Sequence, residues 1–171
     1  VDVPVTVKMR MGWDHASLNA PDRTVVSGPV EGIETLREEL LGQGQELRVL
    51  RVDRAFHSAA LDPMLEDLRA LVATMKPQPA RIPIASNLTG RLEQDRFADP
   101  NYWVSHARET VRFGDGLRAL RAAGASLFLE LGPHPVLCAL GSETLATEAV
   151  SWHPSLRQGA DDTRSVNLAL A

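Results

Sequence analysis

A chain of 171 residues has room for one domain with a sizeable core, or for a small domain with flanking pieces. Its 44% apolar and 23% charged residues are those of a folded globular protein, which excludes a largely disordered chain. A net charge of −4 with the two signs interleaved argues against nucleic acid, and a single cysteine rules out an internal disulfide and a cysteine-based zinc cluster.

In chain order, Val3 to Lys8 alternates and is β-branched, which predicts a strand. Met9 to Asn19 has no clear period. Thr24 to Ser27 predicts a second short strand, ended by Gly28-Pro29. Val30, Ile33, Leu36 and Leu40 recur at helical spacing, with Gly42 and Gly44 as the C-cap. Glu46 to Asp53 reads as a strand. Asp62-Pro63 looks like an N-cap and an N1 proline. Around it Leu61, Met64, Leu65, Leu68, Leu71, Val72 and Met75 form one broad apolar stripe, the strongest helix signal of the sequence. Arg81 to Ser86 predicts a strand closed by a turn at Asn87 to Gly90. Helices are expected over Tyr102 to Arg108, about Phe113 to Ala123 and about Pro135 to Thr147. Leu127 to Leu131 predicts a strand buried on both faces. From Trp152 onward the chain reads as polar loop. Strands alternating with helices place the chain in the α/β or α+β class.

No apolar run approaches the ~18 residues needed to span a bilayer, and no basic-then-apolar signal segment opens the chain. A cytoplasmic protein with no membrane partner and no nucleic-acid partner is therefore expected.

Candidate chemistry rests on few residues. His57 follows a strand, in a loop where catalytic side chains often sit, although position alone suits a structural histidine as well. His15, His106, His134 and His153 show no ligand spacing, so no metal site is expected. Cys138 lies in an apolar run and reads as a core thiol. Ser27 and Ser58 lack the small neighbours of a G-x-S-x-G elbow, so no nucleophile is found in this chain. There is no Gly-rich phosphate loop.

Several segments, taken in order, resemble one family. They are Asn19 to Pro29 (NAPDRTVVSGP), Arg54 to Ser58 (RAFHS), Asp62-Pro63-Met64, Ser86 to Gly90 (SNLTG), Tyr102-Trp103-Val104, His106 to Phe113 (HARETVRF), Glu130 to Leu137 (ELGPHPVL) and Trp152 to Gly159. Together they are similar to the C-terminal half of the acyltransferase domains of modular polyketide synthases, relatives of malonyl-CoA:acyl-carrier-protein transacylase. The likeness runs from about Leu18 to Ala171.

This resemblance implies an α/β fold: a small ferredoxin-like subdomain over 18–53, the C-terminal part of an α/β-hydrolase-like large subdomain over 54–148, and a linker over 149–171. It implies a mechanism in which a GHSxG serine attacks malonyl-CoA, a histidine takes the serine proton, and the phosphopantetheine thiol of an acyl carrier protein removes the acyl group. The family histidine maps onto His57, and its orienting backbone carbonyl onto that of His106. The tetrad Arg54-Ala55-Phe56-His57 leans toward the family's malonyl-selective pattern HAFH rather than its methylmalonyl-selective YASH: Phe56 crowds the place of an α-methyl group, whereas Arg54 departs from both patterns. No cofactor is implied beyond the substrates malonyl-CoA and the phosphopantetheinyl carrier protein; neighbouring synthase domains are the other expected partners.

The GHSxG motif is absent from the sequence, so a truncated acyltransferase inactive by itself is expected. With half of the large subdomain missing, Leu127, Phe128, Leu129 and Leu131 should lack a partner layer, at a cost of several kcal/mol at roughly 25 cal/mol per Å². A second reading is a non-catalytic docking or scaffold module of a synthase.

Val3 to Asp14 instead resembles a strand of tRNA-dihydrouridine synthases, flavin-dependent barrels in which the lysine matching Lys8 helps hold the flavin. Residues 1–17 are therefore expected to be a separate segment, with a remnant of such a synthase as a third reading. So short a piece cannot form a barrel of about 250 residues.

Overall fold

The computed structural model describes residues 5–9, 24–45, 47–49, 55–157, 159, 161–163, 165 and 167. Contacts divide the chain into two compact units, residues 1–116 and 117–171.

The first unit opens with a three-stranded antiparallel sheet. Its strands are β1 (Val5–Met9), β2 (Thr24–Gly28) and β3 (Leu47–Val49), in the order β2-β1-β3. Helix α1 (Val30–Gly42) joins β2 to β3, and these two strands run parallel on either side of β1. This is a split β-α-β unit, the building block of ferredoxin-like folds. β1 falls in the segment expected to stand apart, yet it is the middle strand of the sheet. Ile33 and Leu40 are the buried residues of α1, and its contacts go to all three strands. The helix ends in a Schellman motif: the Gln45 N–H donates to the Leu40 carbonyl, and the N–H of Gly44, at φ +74°, to that of Leu41.

Next comes a 3-10 segment, Ala59–Met64, leading into α2 (Leu65–Met75). The cap is Ser58, whose Oγ accepts from the Ala60 N–H and donates to the Ala55 carbonyl. Asp62-Pro63, expected as cap and first helical residue, instead lies inside the 3-10 segment. A short hairpin of β4 (Ile84–Ala85) and β5 (Leu92–Glu93) follows, then a 3-10 turn at Asp95–Ala98. α3 (Pro100–Arg108) is capped by Asp99, with Pro100 in its first turn, and packs on α2.

Ser86 ties this region together. Only 1% exposed, its Oγ shares a hydrogen bond with the Tyr102 hydroxyl and accepts from the N–H groups of Leu88 and Thr89. Gly90 closes the turn at φ +69°, where a Cβ would come within 2.5 Å of the Asp115 Cβ. Helix α4 (Phe113–Ala122) begins here.

In the second unit, β6 (Leu127–Glu130) pairs in parallel with β7 (Ser151–Pro154) through the connecting helix α5 (Val136–Thr144). The stretch expected to be loop from Trp152 onward thus begins as a strand. Trp152 stacks on Phe128, with ring centroids 4.5 Å apart, and covers Gly141 so closely that a Cβ there would lie 2.2 Å from the indole. Leu127, Leu129 and Leu131 are 62%, 41% and 81% exposed, so β6 is not buried on both faces. Among the described residues, no helix is long and apolar enough to cross a membrane.

Candidate active site

His57 occupies the turn between Ala55, which is buried, and the Ser58 cap. Its backbone is left-handed, at φ +56°. That conformation is uncommon for a residue with a side chain and, where it occurs, often marks a functional position. The ring is fixed from 52 residues away: Nδ1 lies 2.9 Å from the backbone carbonyl of Glu109. A carbonyl can only accept, so Nδ1 carries the proton and Nε2 keeps its lone pair. Nε2 is then the nitrogen able to take a proton from another group.

The orienting carbonyl therefore belongs to Glu109, correcting the expectation of His106. Carbonyls in the last turn of α3, His106's among them, point along the helix axis. Glu109 is the C-cap, with ψ 167°, and its extended backbone turns its carbonyl away from that axis. His106 contributes its ring instead. It stands edge-on to His57, with centroids 6.2 Å apart, and completes an aromatic group with Tyr102 and Trp103. Burial, and then the nearby His57, hold its pKa below the usual histidine range.

One more pair links the two segments. The Arg108 guanidinium, next to Glu109 in sequence, donates from Nε to the carboxylate of Asp62. Sequence reasoning missed this pair and Glu109 alike, because contacts between residues 46 and 52 apart leave no mark in a local pattern. Phe56, adjacent to His57, is 51% exposed, and Arg54 lies outside the described residues. Ser58 is committed to its cap and to Ala55.

Cys138 and Glu130 have a structural explanation. The Glu130 carboxylate accepts from the N–H groups of Leu137 and Cys138 at 3.0 and 2.7 Å, capping α5 from the end of β6 where Pro135 supplies no side-chain cap. Partial burial opposes its ionisation, but these hydrogen bonds prevail and hold its pKa below the usual carboxylate range. Burial and the neighbouring carboxylate push the Cys138 thiol up to about 11, which makes it a poor nucleophile. Among the described residues, no cluster of three or more His, Cys, Asp or Glu side chains could hold a metal ion.

The family model described as acyl transferase domain matches residues 6–170. Residues 6–17, expected to resemble a dihydrouridine synthase, fall inside that match. A PKS-NRPS hybrid synthetase of Aspergillus candidus is 39% identical over 159 residues, 91% of this chain and 6% of that protein. Orsellinic acid synthase of Emericella nidulans is 38% identical over 169 residues, 94% of this chain and 8% of that protein. Among solved structures, the acyltransferase domain from the second module of the salinomycin polyketide synthase superposes with a TM-score of 0.90 at 34% identity, covering 100% of this chain and 44% of that one. The chain thus spans less than a tenth of these synthases and under half of that acyltransferase structure. A sequence that matches the family model over nearly its whole length, and whose whole length superposes on part of such a domain, belongs to the acyltransferase family of polyketide synthases.

Proposed function

We propose that this chain is the histidine-bearing part of a malonyl-selective acyltransferase, one that loads an acyl carrier protein within a polyketide synthase. The observation that carries this reading is the His57–Glu109 hydrogen bond, which commits Nδ1 as donor and leaves Nε2 as base. In the proposed reaction, Nε2 takes the proton of a serine hydroxyl as the oxygen attacks the thioester carbonyl of malonyl-CoA. The C–S bond breaks, the CoA sulfur leaves as a thiol with that proton, and the malonyl group remains as a serine ester. A phosphopantetheine thiol then gives its proton to Nε2 and takes the acyl group in the reverse sense. Phe56, beside the base, would crowd an α-methyl substituent. No cofactor is needed for these steps, and a cytoplasmic synthase is the proposed setting.

The sequence holds no G-H-S-x-G motif. We therefore expect these 171 residues, tested alone with labelled malonyl-CoA, to form no covalent adduct. Addition of a polypeptide carrying the GHSxG part of an acyltransferase should yield a malonyl-serine ester that His57→Ala abolishes. An adduct on the chain alone would overturn the need for a supplied serine. Equal labelling by the His57→Ala mixture would remove His57 from the mechanism.

The exposure of Leu127 and Leu131 gives a second reading, a docking module of a synthase, an observation of its own. Under it the complemented mixture stays unlabelled while the chain still binds neighbouring synthase domains.

A further inference from the structure

We infer that the Asp62–Arg108 ion pair is a positioning device for His57: it holds the Glu109 carbonyl in register with Nδ1. The inference rests on the reading of His57 as the base. His57 and Glu109 lie in separate segments that the packing of α3 on α2 and on the 3-10 segment brings near each other, but one hydrogen bond sets the distance from Nδ1 to the carbonyl and leaves the direction of that carbonyl free to turn. The structure supplies a second link beside it. On one side, His57 leads directly into the Ser58 cap and the 3-10 segment that carries Asp62. On the other, Arg108 and Glu109 are consecutive residues at the end of α3. The contacts His57 to Glu109 and Asp62 to Arg108 therefore close a ring between the same two segments.

Ser58 stiffens one side of that ring, with its hydroxyl bonded both to the Ala55 carbonyl and to the Ala60 N–H. The helical backbone of α3 stiffens the other. The ion pair is partly exposed at Arg108 and half-exposed at Asp62, so it adds little to global stability. A guanidinium that donates from Nε fixes direction as well as distance, which is what orienting a carbonyl requires.

The test reads the tautomer of His57, which does not depend on acyl transfer. In a ¹⁵N-labelled chain at a pH where imidazole is neutral, long-range ¹H–¹⁵N spectra, assigned through His57→Gln, should show a pyrrole-like Nδ1 with a slowly exchanging proton. Asp62→Asn and Arg108→Gln should each lose that slow proton and move Nδ1 toward the pyridine-like shift of free imidazole, with little change in urea midpoint. The exchange Asp62→Arg with Arg108→Asp should restore the original spectrum. Wild-type Nδ1 shifts in both single variants would overturn the inference. Where a single variant loses its fold, the folded exchange variant decides, since a free-imidazole spectrum there would overturn it too. A normal tautomer response in a chain that never supports labelling would instead count against His57 as the base.

Discussion

The surroundings of His57 and the β6–β7 pair solve the same problem in different ways. In the unit that holds His57, segments separated in sequence are joined by polar bonds: His57 to the Glu109 carbonyl, the Ser86 hydroxyl to that of Tyr102, and the Arg112 N–H to the Asn87 carbonyl at 2.7 Å. These bonds are directional and complete in themselves. The β6–β7 pair relies on apolar cover: Trp152 lies between Phe128 and Gly141, while Leu127 and Leu131 stay open to solvent. Directional bonds can build a site from little buried area, whereas apolar strands need a further layer to finish their packing.

The largest effect should come from adding a methyl group where each region is tightest. Gly141→Ala drives a Cβ into the Trp152 ring and should cost about 3 kcal/mol, at the upper end for overpacking. The unfolding transition in urea, followed by Trp152 fluorescence, measures it. Gly90→Ala forces a left-handed alanine against Asp115 and should cost about 2 kcal/mol, read from Trp103 fluorescence. If Gly141→Ala proves neutral, the indole does not pack as described and the contrast between the regions weakens.

Acid should separate the two regions next. His106 is held below its ordinary pKa by burial and by His57. Its unfolded form binds a proton first, so the stability it contributes is complete above about pH 6.5 and is lost as pH falls toward its lowered native value. Glu130 is also lowered, through the α5 N–H groups. Its contribution is complete above the ordinary glutamate value of about 4.3 and is lost as pH falls below it. His106→Gln should flatten the upper part of a stability-against-pH profile, and Glu130→Gln the lower part. A profile unchanged by both substitutions would show that neither group is linked to folding.

The smallest effect on stability should come from Leu127→Lys with Leu131→Lys, within about 0.5 kcal/mol for exposed positions. The same pair should strongly reduce the binding of an apolar dye and any concentration-dependent association seen by ultracentrifugation. Undiminished dye binding would place the accessible apolar surface elsewhere.

Much of this was legible in the sequence, for physical reasons. The stripe through Leu65, Leu68 and Val72 announced α2, and the spacing of Ile33 and Leu40 announced α1 together with its glycine cap. The ordered motifs carried the family and pointed to His57. What stayed hidden depends on contacts rather than pattern. Ser151–Pro154 has no alternation to mark a strand and becomes one only beside β6. Asp62-Pro63 looks like a cap, but Ser58 reaches the N–H groups first. The helix end at Arg108 was legible, but that the Glu109 carbonyl rather than that of His106 meets His57 rests on a contact 52 residues long. Residues 1–17 looked foreign by local likeness, yet β1, which lies within them, pairs with strands on both sides.

That middle strand has a consequence for how the small sheet can be assembled or cut. Because β1 sits between its two neighbours, it acts as a keystone. Trimming residues 1–10 would leave two parallel strands standing about 9–10 Å apart, twice the usual spacing, with no ladder between them. Loss of β1 should therefore dismantle the whole sheet under α1, where loss of an edge strand would only narrow it.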